Sequence, residues 1–419
     1  MKNFLQLKPP LGEKQLFILD LDGTMVPDKN DGFSQDIIDQ IKNFATSGEV
    51  IICSNGSPAR AEALAHLSGV KAVAGIKPWQ GELKPFLTDH QAVVVGDKYL
   101  TDGLLAKNIG GQFIKVRRLI SPADSVLTKL SYGLDDLIWT TVPAIQLLRP
   151  TQWVKNLLVF SPLFFAHGLS QSNLVFNSLV AFAIFSVAAS TVYVINDLVD
   201  QKADQNHSKK QFRPLPSGRL SRQQAGMILV SLLVFLIALL VRWPAIWPVI
   251  IVYLILNLLY SGWLKNVIFL DIITVAVFYV LRVVAGGFST GLHLSNWILF
   301  CTFFGSLFVI TGKRRAEFEQ MTKRKVLNQY SKSLLDLILI TTAFFATFTY
   351  LMWAIFSSHN NLLAYSSLLV AAALGFLFKR IHTEPVLAES PESLVLKDPW
   401  ILTTFCLWVV FVFSVFYLV

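Results

Sequence analysis

Long runs of Leu, Ile, Val and Phe dominate the chain from about residue 140 to its end, whereas the first 118 residues alternate short apolar strands with amphipathic stretches. Apolar segments of roughly 17 to 25 residues, long enough to cross a bilayer, fall near 142–167, 174–195, 225–242, 245–262, 267–288, 297–312, 334–356, 362–378 and 400–418. They predict nine transmembrane helices. In the first part, FILDLDGT at 17–24, VIICSNGS and AVVVGDKYLTDG read as strands that end in polar residues, and 34–47 and 58–68 read as amphipathic helices. The expected fold is an α/β, Rossmann-like N-terminal domain over 1–118 followed by an all-α polytopic membrane domain over 141–419. Between them, LISPADSVLTKLSYGLDDLIWT at 119–140 mixes apolar and polar positions and suits an interfacial helix, with a flexible linker as the alternative.

Composition agrees with two domains in different solvents. Of the 419 residues 53% are hydrophobic and 15% charged, and the mean hydropathy is +0.54, too apolar for an ordinary soluble protein of this length. Basic residues alternate between loops as the positive-inside rule requires. Lys202, Lys209, Lys210, Arg213, Arg219 and Arg222 fall in one loop, Lys313, Arg314, Arg315, Lys323, Arg324, Lys325 and Lys332 in another, and Lys379, Arg380 and Lys397 in a third. The intervening SQSN, TGLHLSN and SSHNN contain none, and Arg242 alone lies on that side. This orients the N-terminal domain toward the cytoplasm in a multi-pass cytoplasmic membrane protein. The opening MKNFLQLKPPLGEKQ has no apolar core of a signal peptide, in keeping with a cytoplasmic start. The net charge of +9 is explained by loops facing anionic lipid and phosphorylated substrates, so no nucleic-acid partner is expected. Cys53, Cys301 and Cys406 are scattered and suggest neither a disulfide framework nor a zinc site.

Candidate chemistry concentrates in three places. In NDLVDQKADQNHSKKQFRP at 196–214, Asp197, Asp200 and Asp204 stand three and four residues apart, on one face of the apolar helix if it continues. Stacked carboxylates repel one another unless a cation intervenes, and hard oxygen ligands on adjacent turns suit Mg2+ with a diphosphate. Lys209, Lys210 and Arg213 then meet the remaining phosphate charge. The plain alternative is a solvated loop. Charged groups within or beside the predicted spans form the second set: Arg149, Gln152, Lys155 and Asn156 in LLRPTQWVKN, with Pro150 placed to bend the helix, and Asp271 with Arg282 eleven residues on, sharing a face that a phosphorylated ligand could bridge. Lys155 could instead snorkel to the headgroups. Asn196, Tyr260, Ser261 and Lys265, with Lys313, Arg314, Arg315 and Glu317, belong at the cytoplasmic mouth. The third set lies at the strand ends: Asp20 and Asp22 after the first strand, Ser54 after the second, Lys77 in AGIKP, and Asp97 with Asp102 after the last, Lys84 competing for the lysine role. A carboxylate there can attack phosphorus while a second acts as acid and base.

NDxxDxxxD followed by a basic RP segment, with nine spans, resembles the UbiA-type membrane prenyltransferases from 145 to the end. LLRPTQWVKNLLVFSPLFFA, NDLVDQKADQNHSKKQFRPLPSG, VLRVVAGG and GKRRAEF look more specifically like its decaprenyl-phosphate phosphoribosyltransferase branch. The general superfamily carries a second aspartate motif, DxxxD, where this chain has DIITV with Asp271 alone, which argues against aromatic prenylation. The resemblance implies phosphoribosyl pyrophosphate as donor and a polyprenyl phosphate as acceptor. It further implies Mg2+ organised by Asp197, Asp200 and Asp204, and phosphate neutralised by Lys155, Lys209, Arg213 and Arg282. Residues 14 to about 118 resemble the haloacid dehalogenase-like phosphatases, with Asp20 as nucleophile, Asp22 as acid/base, Ser54 and Lys77 on phosphate, and Asp97 beside Asp20 on Mg2+; Asp22 is counted with the metal site. A transfer that leaves a 5-phosphate on a lipid-linked ribose, fused to a phosphatase, suggests consecutive reactions. The rival readings are a prenyltransferase with an aromatic acceptor, a membrane-anchored lipid-phosphate phosphatase and a transporter.

Overall fold

A computed structural model describes residues 3–9, 15–27, 32–56, 58–74, 77–79, 81–87, 91–121, 124–205, 210, 213–319, 325–358, 361–384 and 398–417. By internal contacts the chain divides into two compact units, Met1–Ile145 with Gln205–Arg219, and Gln146–Asp204 with Leu220–Val419.

The first unit is built on five parallel strands, β1 (Gln15–Asp20), β2 (Glu49–Ser54), β3 (Lys71–Ala74), β4 (Gln91–Gly96) and β5 (Gln112–Lys115), in the order β3-β2-β1-β4-β5. Every residue of β1 is buried, as a central strand covered on both faces requires. Side-chain alternation divides the strands between two cores. Phe17, Leu19, Val50, Ile52, Val93 and Val95 face one, which α1 (Gln35–Ala45) and α2 (Pro58–Ser68) close with Ile41, Phe44 and Leu64. Leu16, Ile18, Ile51, Cys53 and Val94 face the other, closed by Leu105 and Ala106 of the short α3 (Leu104–Asn108). The chain winds outward from β1 to β3 and then returns to β4 on the far side of β1. Side chains from β1 and β4 therefore meet beyond their carboxyl ends, at the point where strand order reverses. The two helices expected at 34–47 and 58–68 are present; β3 and β5 are short strands that the hydropathy pattern did not predict.

Of the segment expected at 119–140 to be an interfacial helix or a linker, the part from Val126 onward belongs to a longer helix, α4 (Val126–Leu148). At its end the predicted first span, 142–167, is not one helix. It comprises the end of α4, a 3-10 segment Pro150–Phe160 and the short α5 (Ser161–Phe165), broken at Arg149, whose backbone is left-handed at φ 54 and ψ 58. Proline disfavours α-helical backbone in the residue before it, and this arginine is displaced into a region that non-glycine residues seldom occupy.

Among the described residues, eight helices are long and apolar enough to cross a membrane. They contain α6 (Ser172–Gln205), α7 (Arg222–Arg242), α8 (Trp247–Gly262), α9 (Leu270–Thr290), α10 (Asn296–Glu319), α11 (Lys332–Phe356), α12 (Ser366–Thr383) and α13 (Pro399–Tyr417). Small residues buried along α6, among them Ala181, Ala188, Ala189 and Ser190, let neighbouring backbones approach. Gly286 in α9 serves the same end: a Cβ there would stand 2.0 Å from the Val159 carbonyl oxygen, so only glycine lets α9 lie against the Pro150–Phe160 segment.

Candidate functional site

At the strand ends of the first unit, Asp20, Asp97 and Asp102 offer carboxylate oxygens within 4.8 Å of one another, all buried. Thr24 Oγ1 donates to Asp20 Oδ2 at 2.8 Å and to Asp97 Oδ1 at 3.4 Å. Gly23, at φ +78, makes the turn past β1, and a Cβ there would meet Asp97 Oδ2 at 2.9 Å. The Lys77 ammonium donates to Asp20 and, at 2.6 Å, to Asp102 Oδ1. Asp102 Oδ2 accepts from the Lys98 amide at 3.2 Å. Asp102 thus holds the lysine and its own turn, while Asp20 and Asp97 share Thr24 between them, a carboxylate pair of the kind that suits a hard divalent cation.

Electrostatics follow from this crowding. Burial, then the charge of Asp102, pushes Asp20 up to about 6 despite Lys77; burial and Asp20 push Asp97 up to about 6. Burial disfavours the charge on Lys77, but Asp102 and Asp20 outweigh it and hold its pKa above the usual lysine range. In each case burial and then a neighbouring carboxylate raise the group, a crowding of negative charge that a cation would relieve.

Asp22, counted above with the metal site, lies outside the tight group. It has passed the end of β1 and is held by Ser54 Oγ at 3.0 Å and Arg60 at 2.5 Å. Its side chain is 19% exposed, which suits proton exchange with solvent better than metal ligation. The Lys84 side chain lies outside the described residues. Asp102 was visible in the sequence without a role, and Arg60 and Arg118 were not singled out. Arg118 Nε donates to Asp97 Oδ2 at 2.6 Å, its other nitrogens reaching Asp135 and Asp136 at 3.2 and 3.3 Å. The only available signal for Arg118 is its place in the basic run Lys115-Val116-Arg117-Arg118, just past β5.

In the second unit α6 continues unbroken through Asp197, Asp200 and Asp204. At 1.5 Å per residue its 34 residues extend about 50 Å, against roughly 30 Å of hydrocarbon, so a crossing helix carries its acidic end beyond the apolar layer. Asp197 is buried and ion-paired with Arg149, the residue at the left-handed break, whose guanidinium lies 5.0 Å from the Tyr193 ring centroid. The broken segment is fixed to α6 by further bonds. Trp153 Nε1 donates to Ser190 Oγ at 3.1 Å, Ser190 Oγ to the Leu148 carbonyl at 2.9 Å, and Asn156 Nδ2 to Ser186 Oγ at 3.0 Å. Lys155 Nζ donates to Gln152 Oε1 at 2.7 Å. Asn196 accepts from Ser261 Oγ at 2.9 Å, which joins α6 to α8 beside Tyr260.

Asp271 and Arg282, expected to share a ligand, have different partners. Asp271 is fully buried and accepts from Arg314 Nε at 2.8 Å and Tyr330 Oη at 2.7 Å. Arg282 Nε donates to Asn156 Oδ1 at 2.8 Å, and its guanidinium lies among the Phe185, Tyr253 and Tyr279 rings. Helical spacing was right about the face, but tertiary partners from α10 and the broken segment take each charge. Arg314 also pairs with Glu317 at 2.8 Å and is buried, whereas Lys265 and Lys313 are partly exposed. Lys210 and Arg213 belong by contacts to the first unit, and Lys209 lies outside the described residues.

Decaprenyl-phosphate phosphoribosyltransferase from Mycolicibacterium smegmatis is 30% identical over 287 residues, covering 63% of this chain and 89% of that protein. The Corynebacterium glutamicum protein of the same name is 33% identical over 228 residues, 52% of this chain and 68% of that one. A UbiA homologue from Archaeoglobus fulgidus, solved with GPP and Mg2+, superposes with a TM-score of 0.50 over 65% of this chain and 99% of that one; at 18% identity the likeness is one of fold. Residues 157–390, more than half of the chain, match the UbiA prenyltransferase family, which includes α6 and its aspartates. The chain belongs to the UbiA prenyltransferase family.

Proposed function

We propose that the C-terminal unit transfers a 5-phosphoribosyl group from phosphoribosyl pyrophosphate to a polyprenyl phosphate, and that the N-terminal unit is a haloacid dehalogenase-like phosphatase that removes the 5-phosphate from the lipid-linked product. The observation that carries the first half is the pairing of Arg149 with Asp197. It joins the strained break in LLRPTQWVKN to the first carboxylate of the α6 motif, the two strings that resemble the phosphoribosyl branch. The names of the relatives support the same branch.

In this reading Asp197, Asp200 and Asp204 would hold Mg2+, which would supply charge neutralisation for the leaving pyrophosphate. Arg149 and Lys155 would meet phosphate oxygens. The polyprenyl phosphate oxygen forms a bond to ribose C1 as the bond from C1 to pyrophosphate breaks. The nucleophile is already an anion, so no strong general base is required. Asp271 bears on the rival aromatic prenylation: with both oxygens bonded to Arg314 and Tyr330, it is poorly placed to grip a second diphosphate cluster.

At the strand ends, Asp20 attacks phosphorus and the ribose oxygen leaves with a proton from Asp22. Water then cleaves the aspartyl phosphate while Asp22 takes the proton back. Lys77 and Ser54 meet phosphate oxygens, and Asp20 with Asp97 would hold Mg2+, which shields the carboxylate from the incoming anion. The same reading places nine crossings in the cytoplasmic membrane, the eight long apolar helices and the broken segment that follows Arg149, and the phosphatase in the cytoplasm. The test is to incubate membranes carrying the protein with Mg2+, labelled phosphoribosyl pyrophosphate and a polyprenyl phosphate. Label in the lipid extract is expected. Consumption of a prenyl diphosphate with an aromatic acceptor instead would establish the rival.

A further inference from the structure

Helix α4 has two faces of opposite character. Leu127, Leu130, Leu134 and Leu137 recur at intervals of three and four residues and are 78%, 65%, 54% and 59% exposed, one stripe along the helix. Val126 precedes the stripe and is 75% exposed. On the opposite side Tyr132 and Asp135 are buried. That side is clamped to the sheet. Lys115 of β5 pairs with Asp135 and Asp136, both at 2.9 Å, and its ammonium lies 5.2 Å from the Trp139 ring centroid. Arg118 adds bonds to Asp135 and Asp136 and stacks on Tyr132. Asp135 also accepts from the Leu100 amide at 2.8 Å, in the turn that carries Asp102.

The clamp is too specific for a passive linker. Two cations, two carboxylates and two aromatic rings hold the helix so that its leucines face outward. A patch of this kind needs an apolar partner. Chain continuity identifies it: α4 runs without interruption to Leu148, and the next residues enter the apolar segments of the UbiA unit. An exposed leucine face on a helix that continues into membrane-spanning segments is the pattern of a helix lying along the bilayer interface.

We propose that α4 is an amphipathic anchor that lies in the headgroup region of the bilayer, its leucine stripe down and its clamped face up. The clamp makes it part of the strand-end site. Arg118 bonds Asp97 and Asp135 with one guanidinium, so the surface on which α4 rests also fixes how that site faces the lipid. The presentation of a membrane-borne phosphate ester rests on the phosphatase reading above; the anchor itself does not.

Full-length protein in vesicles of phosphatidylglycerol and phosphatidylcholine, with Cys301→Ser and Cys406→Ser, would carry a spin label at Leu130→Cys, Leu134→Cys or Lys129→Cys. Labels at 130 and 134 should collide with oxygen and be shielded from a water-soluble nickel chelate, and the label at 129 should show the reverse. Equal nickel access at all three sites overturns the anchor. In the second arm, the combined Leu130→Gln, Leu134→Gln and Leu137→Gln variant should hydrolyse a lipid-borne phosphate ester about five-fold more slowly, with a soluble aryl phosphate ester unaffected. Equal loss on both esters, or on neither, overturns the presentation role. If the parent protein hydrolyses neither ester the phosphatase reading fails, and the label pattern still decides the anchor.

Discussion

The two carboxylate sites of this chain are assembled in opposite ways. At the strand ends Asp20, at the end of β1, and Asp97 with Asp102, after β4, converge within 4.8 Å and have Lys77 among them. On α6 the three aspartates come from one helix, and among the described residues they do not converge to that distance. Asp197 takes its cation from the neighbouring broken segment. A sheet edge gathers distant side chains at one point, whereas a helix spreads neighbours along about 5.4 Å per turn. The first site is pre-formed around its charges. The second spreads its charges along a helix face, a spacing that the proposed diphosphate with a cation would span.

The largest effect should come from the spread site, where each carboxylate has few substitutes. Asp197→Asn or Asp200→Asn should abolish transfer of labelled ribose phosphate to lipid while the protein still accumulates in membranes; near-normal turnover in either would refute the assignment. Next is the packing that holds the broken segment. Gly286→Ala drives a methyl group against the Val159 carbonyl, and transfer should fall at least about tenfold through displacement of Arg149 and Lys155, with the first unit's unfolding unchanged.

A smaller effect should separate structural charges from substrate charges. Arg314→Met leaves Asp271 buried with Tyr330 alone and should cost about 3–5 kcal/mol of stability, read as earlier thermal aggregation in detergent. Adding Asp271→Leu should recover part of that loss. Failure to recover would place Arg314 on the substrate instead.

The smallest effect is a pH dependence of the pre-formed site. Asp20 and Asp97, each pushed up to about 6, retain protons in the folded unit where the unfolded chain, near 4, has lost them. Without metal, the first unit is therefore more stable at pH 5 than at pH 7.5, and stability falls as pH rises through about 6. Protease-resistance melting in chelator should show the higher midpoint at pH 5. Mg2+ should raise the midpoint more at pH 7.5, where the carboxylates are ionised.

The strand-end site was largely legible because its residues follow their strands in order, and burial of alternate strand residues is written in the hydropathy. Asp102 was not, since its role depends on Lys77, 25 residues away and brought near only by the sheet. Among the helices, spacing placed Asp197, Asp200 and Asp204 on one continuous element. The same periodicity could not show the separate partners of Asp271 and Arg282: it sees one helix at a time, and Arg314 and Asn156 lie on other segments. Hydropathy likewise read 142–167 as one span because it is blind to the backbone at Arg149. The leucine face of α4 was visible as mixed polarity, but its orientation is set by Lys115 and Arg118, which local pattern does not connect to it.

The most direct test compares the parent protein with Asp20→Asn in the lipid-transfer reaction, resolving the lipid products by mass. The parent should yield the lipid-linked ribose, and Asp20→Asn should yield the same lipid-linked ribose carrying its 5-phosphate at an undiminished total. Identical product ratios in the two proteins would contradict consecutive action by the two sites.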